Sequence, residues 1–149
     1  MKTHVTFATE LFETETPKHS ASSFGEDCAT WLTERLRAQR FMIGNLLQED
    51  WGWTLPVTVN RNRFYLNVEL NEDDGKRWLV WCEPLSGVLT RLFDSSNADD
   101  QAQLCQAVDD ILHQATTLRD VKWYAEQDWI KGKDEWTDRK STRLNSSHG

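Results

Sequence analysis

The chain has 149 residues, the length of one ordinary domain. It carries 17 Lys and Arg against 24 Asp and Glu, a formal net charge of −7, which argues against a nucleic-acid partner because binding to phosphate backbones depends on Lys and Arg. Its longest uninterrupted apolar run, Trp78 to Cys82, is far shorter than the roughly 18 residues that predict a membrane span, and its three cysteines cannot all pair with one another, so a disulfide framework is excluded. No signal-peptide core follows Lys2 and His4, and we expect a cytoplasmic protein.

The first elements predicted along the chain are a strand and a helix. Val5 and Phe7 alternate with polar residues and predict a strand near residues 3 to 8. Ser23 and Glu26 have the spacing of a capping box, and we expect a helix over residues 24 to 39. Its apolar side chains recur with helical period and form one stripe, made of Phe24, Cys28, Trp31, Leu32 and Leu36.

Three strands joined by short turns follow. Alternating apolar residues predict strands at residues 53 to 59 and 64 to 70, and the apolar run at 78 to 82 predicts a third. Because Pro56 has no backbone N–H, we expect its strand to be an edge or to carry a bulge. Residues 88 to 93 are a candidate for a further strand.

Trp78 and Trp81 lie on opposite faces of the third strand. One of the two is expected beneath the helices. The other is expected to be exposed, or to be covered by the C-terminal segment that contains Trp123, Tyr124 and Trp129.

A second helix, capped by Ser96, is predicted over residues 97 to 118 from a long apolar stripe. The element order is therefore β-α-β-β-β(-β)-α, and the short turns require antiparallel neighbours. This order predicts one α+β domain over residues 1 to 137, in which two helices pack on an antiparallel sheet of four to five strands.

The sequence contains no fingerprint of a nucleotide, metal or nucleophile site. Its glycines are isolated from one another, its cysteines and histidines lack the spacing of zinc ligands, and no Gly-x-Ser-x-Gly element occurs. Cys28 and Cys105 lie on apolar helical stripes and are interpreted as small buried hydrophobic residues. We therefore expect no catalytic residues, no metal and no cofactor.

The most distinctive stretch is Gln48-Glu49-Asp50-Trp51-Gly52-Trp53, in which two carboxylates meet two indoles across a glycine that permits close backbone approach. One interpretation is structural, with Trp53 in the core and Trp51 covering its edge. The other is a recognition patch, because tryptophan offers a large rigid contact and carboxylates select a cationic partner. The residues expected to form this recognition patch are Glu49, Asp50 and Trp51, with Asp73 and Asp74 at its rim. Were the stretch catalytic, its second carboxylate would come from Glu26, Asp27, Glu69 or Glu83, and the sequence does not select among them.

Four segments together resemble a group of small uncharacterised bacterial proteins: Phe24-Gly25-Glu26-Asp27, Trp31-Leu32, Gln48 to Trp53, and Val121-Lys122-Trp123-Tyr124. The resemblance implies a bacterial source and no particular chemistry. Residues 138 to 148 resemble a translated sequencing adapter, and we expect residues 138 to 149 to be a disordered, non-native tail.

These features favour a non-catalytic protein-interaction module, of the immunity or antitoxin kind, that binds a basic partner and neither nucleic acid nor membrane. The alternative is a small-ligand-binding protein or an enzyme with a carboxylate and tryptophan pocket around residues 48 to 53. A concave pocket with converging polar groups favours the ligand, whereas a flat or convex acidic face favours the protein partner.

Overall fold

The computed structural model describes residues 1–14, 23–71, 77–85 and 95–132. The strands are β1 (Lys2–Thr9), β2 (Met42–Ile43), β3 (Leu47–Glu49), β4 (Gly52–Val59), β5 (Asn62–Asn71), β6 (Arg77–Pro84) and β7 (Leu118–Ala125). The helices are α1 (Glu26–Ala38), α2 (Ser95–Gln114) and α3 (residues 126 to 132). In these described ranges, no helix is long and apolar enough to cross a bilayer.

The strands form one antiparallel sheet in the order β2-β4-β5-β6-β1-β7, and β3 also pairs with β4. The predicted α+β class is confirmed. The predicted sizes of four to five strands and two helices were too small, because the described residues form seven strands and three helices. The strand proposed at residues 88 to 93 lies outside the described residues.

The largest difference from the predicted elements is strand β7, which was not predicted. The second helix was expected to reach residue 118, but α2 ends at Gln114 and Leu118 begins β7. Asp120 has a positive φ of 56°, at a register shift where Ala8 pairs with Arg119 and Thr6 with Lys122. This irregularity interrupts the alternation by which a strand is recognised in a sequence.

The start of α1 also differs from the prediction. Gly25 is the N-cap residue, with a left-handed φ of 111°, and no side chain caps the helix. Ser23 donates its hydroxyl to the Gly52 carbonyl at 3.2 Å instead. The predicted capping box is therefore wrong, and Ser23 ties the entry of α1 to the sheet.

Pro56 lies in an interior strand rather than at an edge. Strand β4 pairs with β5 on one side, while β2 and β3 share its other side. Pro56 falls in the gap between those two short strands, and its carbonyl accepts a hydrogen bond from the Gly44 amide at 2.8 Å. The backbone N and O atoms of one residue in an antiparallel strand face the same neighbouring strand. The missing N–H of Pro56 therefore faces this gap, and no hydrogen bond between β4 and β5 is lost.

The core lies between one face of the sheet and the two long helices. Strand residues of alternating position, including Phe7, Leu55, Phe64, Leu66 and Trp78, meet Leu32 and Leu36 of α1 and Leu104 and Leu112 of α2. Cys28 and Cys105 are buried free thiols, as predicted, and so is Cys82. Burial raises the pKa of the Cys28 thiol well above its ordinary value.

A buried carboxylate ties α2 to the β4–β5 turn. Asp100, which is 7% exposed, accepts one hydrogen bond from Asn60 Nδ2 and one from Asn62 Nδ2, each at 2.7 Å. Asn60 adopts a positive φ of 56°, as expected for asparagine in a short turn.

We predict that Asp100→Ala lowers the free energy of unfolding by about 2–3 kcal/mol, because two side-chain amides lose their buried, charged acceptor. The matched control is Asp99→Ala, since Asp99 is the exposed neighbour on the same helix; its expected effect is within about 0.5 kcal/mol. Urea unfolding of both variants measures the difference. Equal losses of unfolding free energy in the two variants would show that the hydrogen bonds between Asp100 and the β4–β5 turn do not stabilise the packing of α2.

Candidate functional site

The face of the sheet opposite α1 and α2, here called the outer face, carries the other half of each strand's side chains. On four neighbouring strands, Thr54 pairs with Asn67, Asn67 with Trp81, and Trp81 with His4. Thr54, Asn67 and His4 are 2%, 1% and 7% exposed, so this part of the outer face is covered although neither long helix packs on it.

Five rings form a continuous line on the outer face, which we call the aromatic row. Trp51 contacts Trp81 at a centroid distance of 5.0 Å and an interplanar angle of 40°. His4 stacks on Trp81 at 6.0 Å and on Trp129 at 6.1 Å, and Trp129 contacts Tyr124 at 5.7 Å. The row therefore runs Trp51–Trp81–His4–Trp129–Tyr124, with α3 supplying Trp129.

The placement of the strand β6 indoles agrees with the sequence expectation. Trp78 is fully buried beneath the helices, and Trp81 lies half-buried on the outer face. The segment that covers this part of the outer face is C-terminal, because Trp129 stacks on the same His4 ring that stacks on Trp81.

A buried polar chain leads to a carboxylate beside the row. The Thr54 hydroxyl donates to Asn67 Oδ1 at 2.7 Å, and Asn67 Nδ2 donates to Glu83 Oε1 at 3.1 Å. A carboxylate only accepts, so Glu83 requires the Asn67 amino group to face it, and the amide oxygen is left for Thr54. Glu83 is exposed and lies two residues beyond Trp81 on the same face of β6.

The sequence-predicted residues Glu49, Asp50 and Trp51 lie together at the tip of the β3–β4 hairpin. Glu49 pairs with Gly52 across the two-residue turn, and all three side chains are exposed, Trp51 to 39%. Trp53 enters the core at 9% exposure, as the structural interpretation predicts. The Trp51 ring contacts the Trp81 ring on β6.

The predicted rim residues, Asp73 and Asp74, lie outside the described residues. Of the four carboxylates that the sequence left as alternatives, Glu83 is the one that the Asn67 hydrogen bond holds beside the row. His4 was not predicted as a site residue, because only its pairing with Trp81 and Tyr124 brings it there.

Burial dominates the electrostatics of His4. Loss of water around the ring lowers its pKa below 6.5, and the carboxylates of Glu126 and Glu83 oppose this shift. Thr3 Oγ1 lies 3.0 Å from His4 Nδ1. The neutral ring, stacked between Trp81 and Trp129, is therefore the form that burial favours.

Gly52 fixes the hairpin tip. A Cβ atom built at this position would overlap the carbonyl oxygen of Val68 in β5, so only glycine lets the two strands approach so closely. Residues two apart in a regular strand share a face, but the turn at residues 50 and 51 sends Trp51 to the outer face and Trp53 to the core.

No family model, curated protein or solved structure matches the chain. Across the part of the chain that the structure describes, no group of three or more His, Cys, Asp and Glu side chains is arranged to hold a metal ion.

We predict that Gly52→Ala lowers the free energy of unfolding by about 3 kcal/mol, because β4 and β5 must separate to admit the methyl group. Gly44→Ala is the matched control, since its Cβ would meet the Pro56 side chain at an ordinary 3.4 Å. Urea unfolding followed by tryptophan fluorescence measures both. A Gly52→Ala protein as stable as Gly44→Ala would contradict the close approach.

We predict a pH-dependent contribution of His4 to stability. A lowered pKa means that the unfolded chain binds the proton more readily, so the contribution is present above pH 6.5 and is lost as the pH falls through the folded-state pKa. The wild type should therefore lose more stability than His4→Gln between about pH 7.5 and about pH 5.5. Urea unfolding at both pH values tests this.

The comparison isolates His4, because the wild type and His4→Gln share every other titratable group. If His4→Gln loses as much stability as the wild type over this interval, His4 is not protected from protonation by the aromatic row.

Proposed function

We propose that the protein is a non-catalytic interaction module, of the immunity or antitoxin kind, that binds a basic partner protein at the Trp51 end of the aromatic row. The observation that carries the proposal is an exposed indole at a hairpin tip with two exposed carboxylates, Trp51 with Glu49 and Asp50. Tryptophan is enriched among the residues that dominate binding energy at protein interfaces.

The distribution of charge supports a cationic partner. Glu49 and Asp50 lie at the hairpin tip with Trp51, and Glu83 lies two residues beyond Trp81 on β6, in a chain whose formal net charge is −7. The same face also carries exposed cations, including Arg63 on β5 and Lys122 on β7. A local cluster of exposed carboxylates accelerates association with basic proteins, and salt weakens this effect.

The shape of the region favours a protein over a small ligand. Glu49, Asp50 and Trp51 occupy a turn and are exposed, whereas a ligand pocket buries most of the surface of its occupant. Inside the row the ring faces are partly covered by their neighbours, and Trp51 is the indole at the end of the row. Trp51 is therefore the exposed ring of the row, whereas Trp81, Tyr124 and Trp129 are half-buried.

We predict that a basic protein retained from a lysate by the immobilised chain at low ionic strength, then purified, binds Trp51→Ala at least about tenfold more weakly than the wild type. Glu49→Gln and Asp50→Asn should mainly slow association and reduce the dependence on salt. Surface plasmon resonance at several salt concentrations separates these effects.

Glu34→Gln is the matched control, because Glu34 is an exposed carboxylate of α1, which packs against the other face of the sheet. It should bind as the wild type does. Failure to retain any basic protein at low salt, or equal binding by Trp51→Ala and the wild type, would contradict the proposed function.

A further inference from the structure

We infer that the Trp51 end of the aromatic row receives an arginine side chain of the partner, with its guanidinium on the Trp51 indole and its charge paired with Glu83. This inference rests on the proposed function and specifies that the basic side chain bound at this end is an arginine.

Trp51 provides a stacking surface. Its ring contacts Trp81 at 5.0 Å on one side, and 39% of the residue remains exposed at the end of the row. A planar guanidinium stacks on an indole face and is weakly hydrated, so it loses little hydration when it does so. The contact with Trp81 also holds the Trp51 ring before the partner arrives, which reduces the ordering cost of binding.

Glu83 provides an oriented carboxylate. Asn67 donates to its Oε1 atom, and Asn67 is itself fixed by Thr54, so the carboxylate is held although it is exposed. Glu83 lies two residues from Trp81 along β6, about 7 Å of strand, and Trp81 is the ring on which Trp51 packs. The indole surface and the carboxylate are thus both adjacent to Trp81.

Arginine satisfies both groups better than lysine does. Its guanidinium presents a flat face to an indole while its edge donates hydrogen bonds to a carboxylate. A lysine ammonium is a compact, strongly hydrated charge without a flat face. The chain itself already makes such a contact elsewhere, because Arg35 Cζ lies 4.2 Å from the centroid of the half-buried Trp31 ring on α1.

The test uses two probes of equal length and charge: acetylated, amidated octapeptides that alternate glycine with arginine or glycine with lysine. Binding is measured by fluorescence polarisation at low ionic strength. The arginine peptide should bind the wild type about fivefold or more tightly than the lysine peptide, and Trp51→Ala or Glu83→Gln should remove this preference.

Trp51→Phe keeps an aromatic face and should retain part of the preference, and Glu34→Gln should retain all of it. Circular dichroism and thermal unfolding establish that each variant is folded. Equal binding of the two peptides overturns the arginine inference and leaves the basic partner standing. Absence of binding by either peptide also overturns it, and the measurement with the purified partner then decides the proposed function by itself.

Discussion

The close approach of β4 to β5 at Gly52 is the constraint on which the candidate site depends. The same residue pairs with Glu49 in β3 and with Glu69 in β5, and its carbonyl accepts the Ser23 hydroxyl before α1. Because a Cβ at this position would overlap the Val68 carbonyl, β4 and β5 can approach this closely only at a glycine. The turn at residues 50 and 51, which precedes Gly52, sends Trp53 to the core and Trp51 to the outer face, next to Trp81.

The two faces of the sheet are buried by different physical means. Aliphatic and aromatic side chains of α1 and α2 cover one face, where apolar contact suffices. The outer face carries Thr54 and Asn67, which can be buried only with hydrogen-bond partners, and the chain to Glu83 provides them. A partner that reaches the Trp51 end therefore meets an aromatic ring and a carboxylate that the sheet already holds in place.

The sequence predicts the parts of the fold in which a periodicity or an apolar run persists for several residues, such as α1 and the strands β4, β5 and β6. It misses β2 and β3, which are two and three residues long, and β7, whose alternation is broken at Asp120. The local stretch at residues 49 to 51 is recognisable from its residue types. The roles of His4 and Glu83 depend on strand pairing between residues far apart in the chain, which composition and spacing do not contain.

The most direct test of this account uses the indole N–H groups of the eight tryptophans as reporters of position. With tryptophan labelled by ¹⁵N, the alternating glycine–arginine peptide is titrated into the protein and the indole resonances are followed by NMR. We expect the Trp51 signal to shift most and the Trp81 signal to follow. The signals of Trp31 and Trp123, which lie on the helix side of the sheet, should stay in place. Shifts centred on Trp31, with Trp51 unmoved, would contradict it.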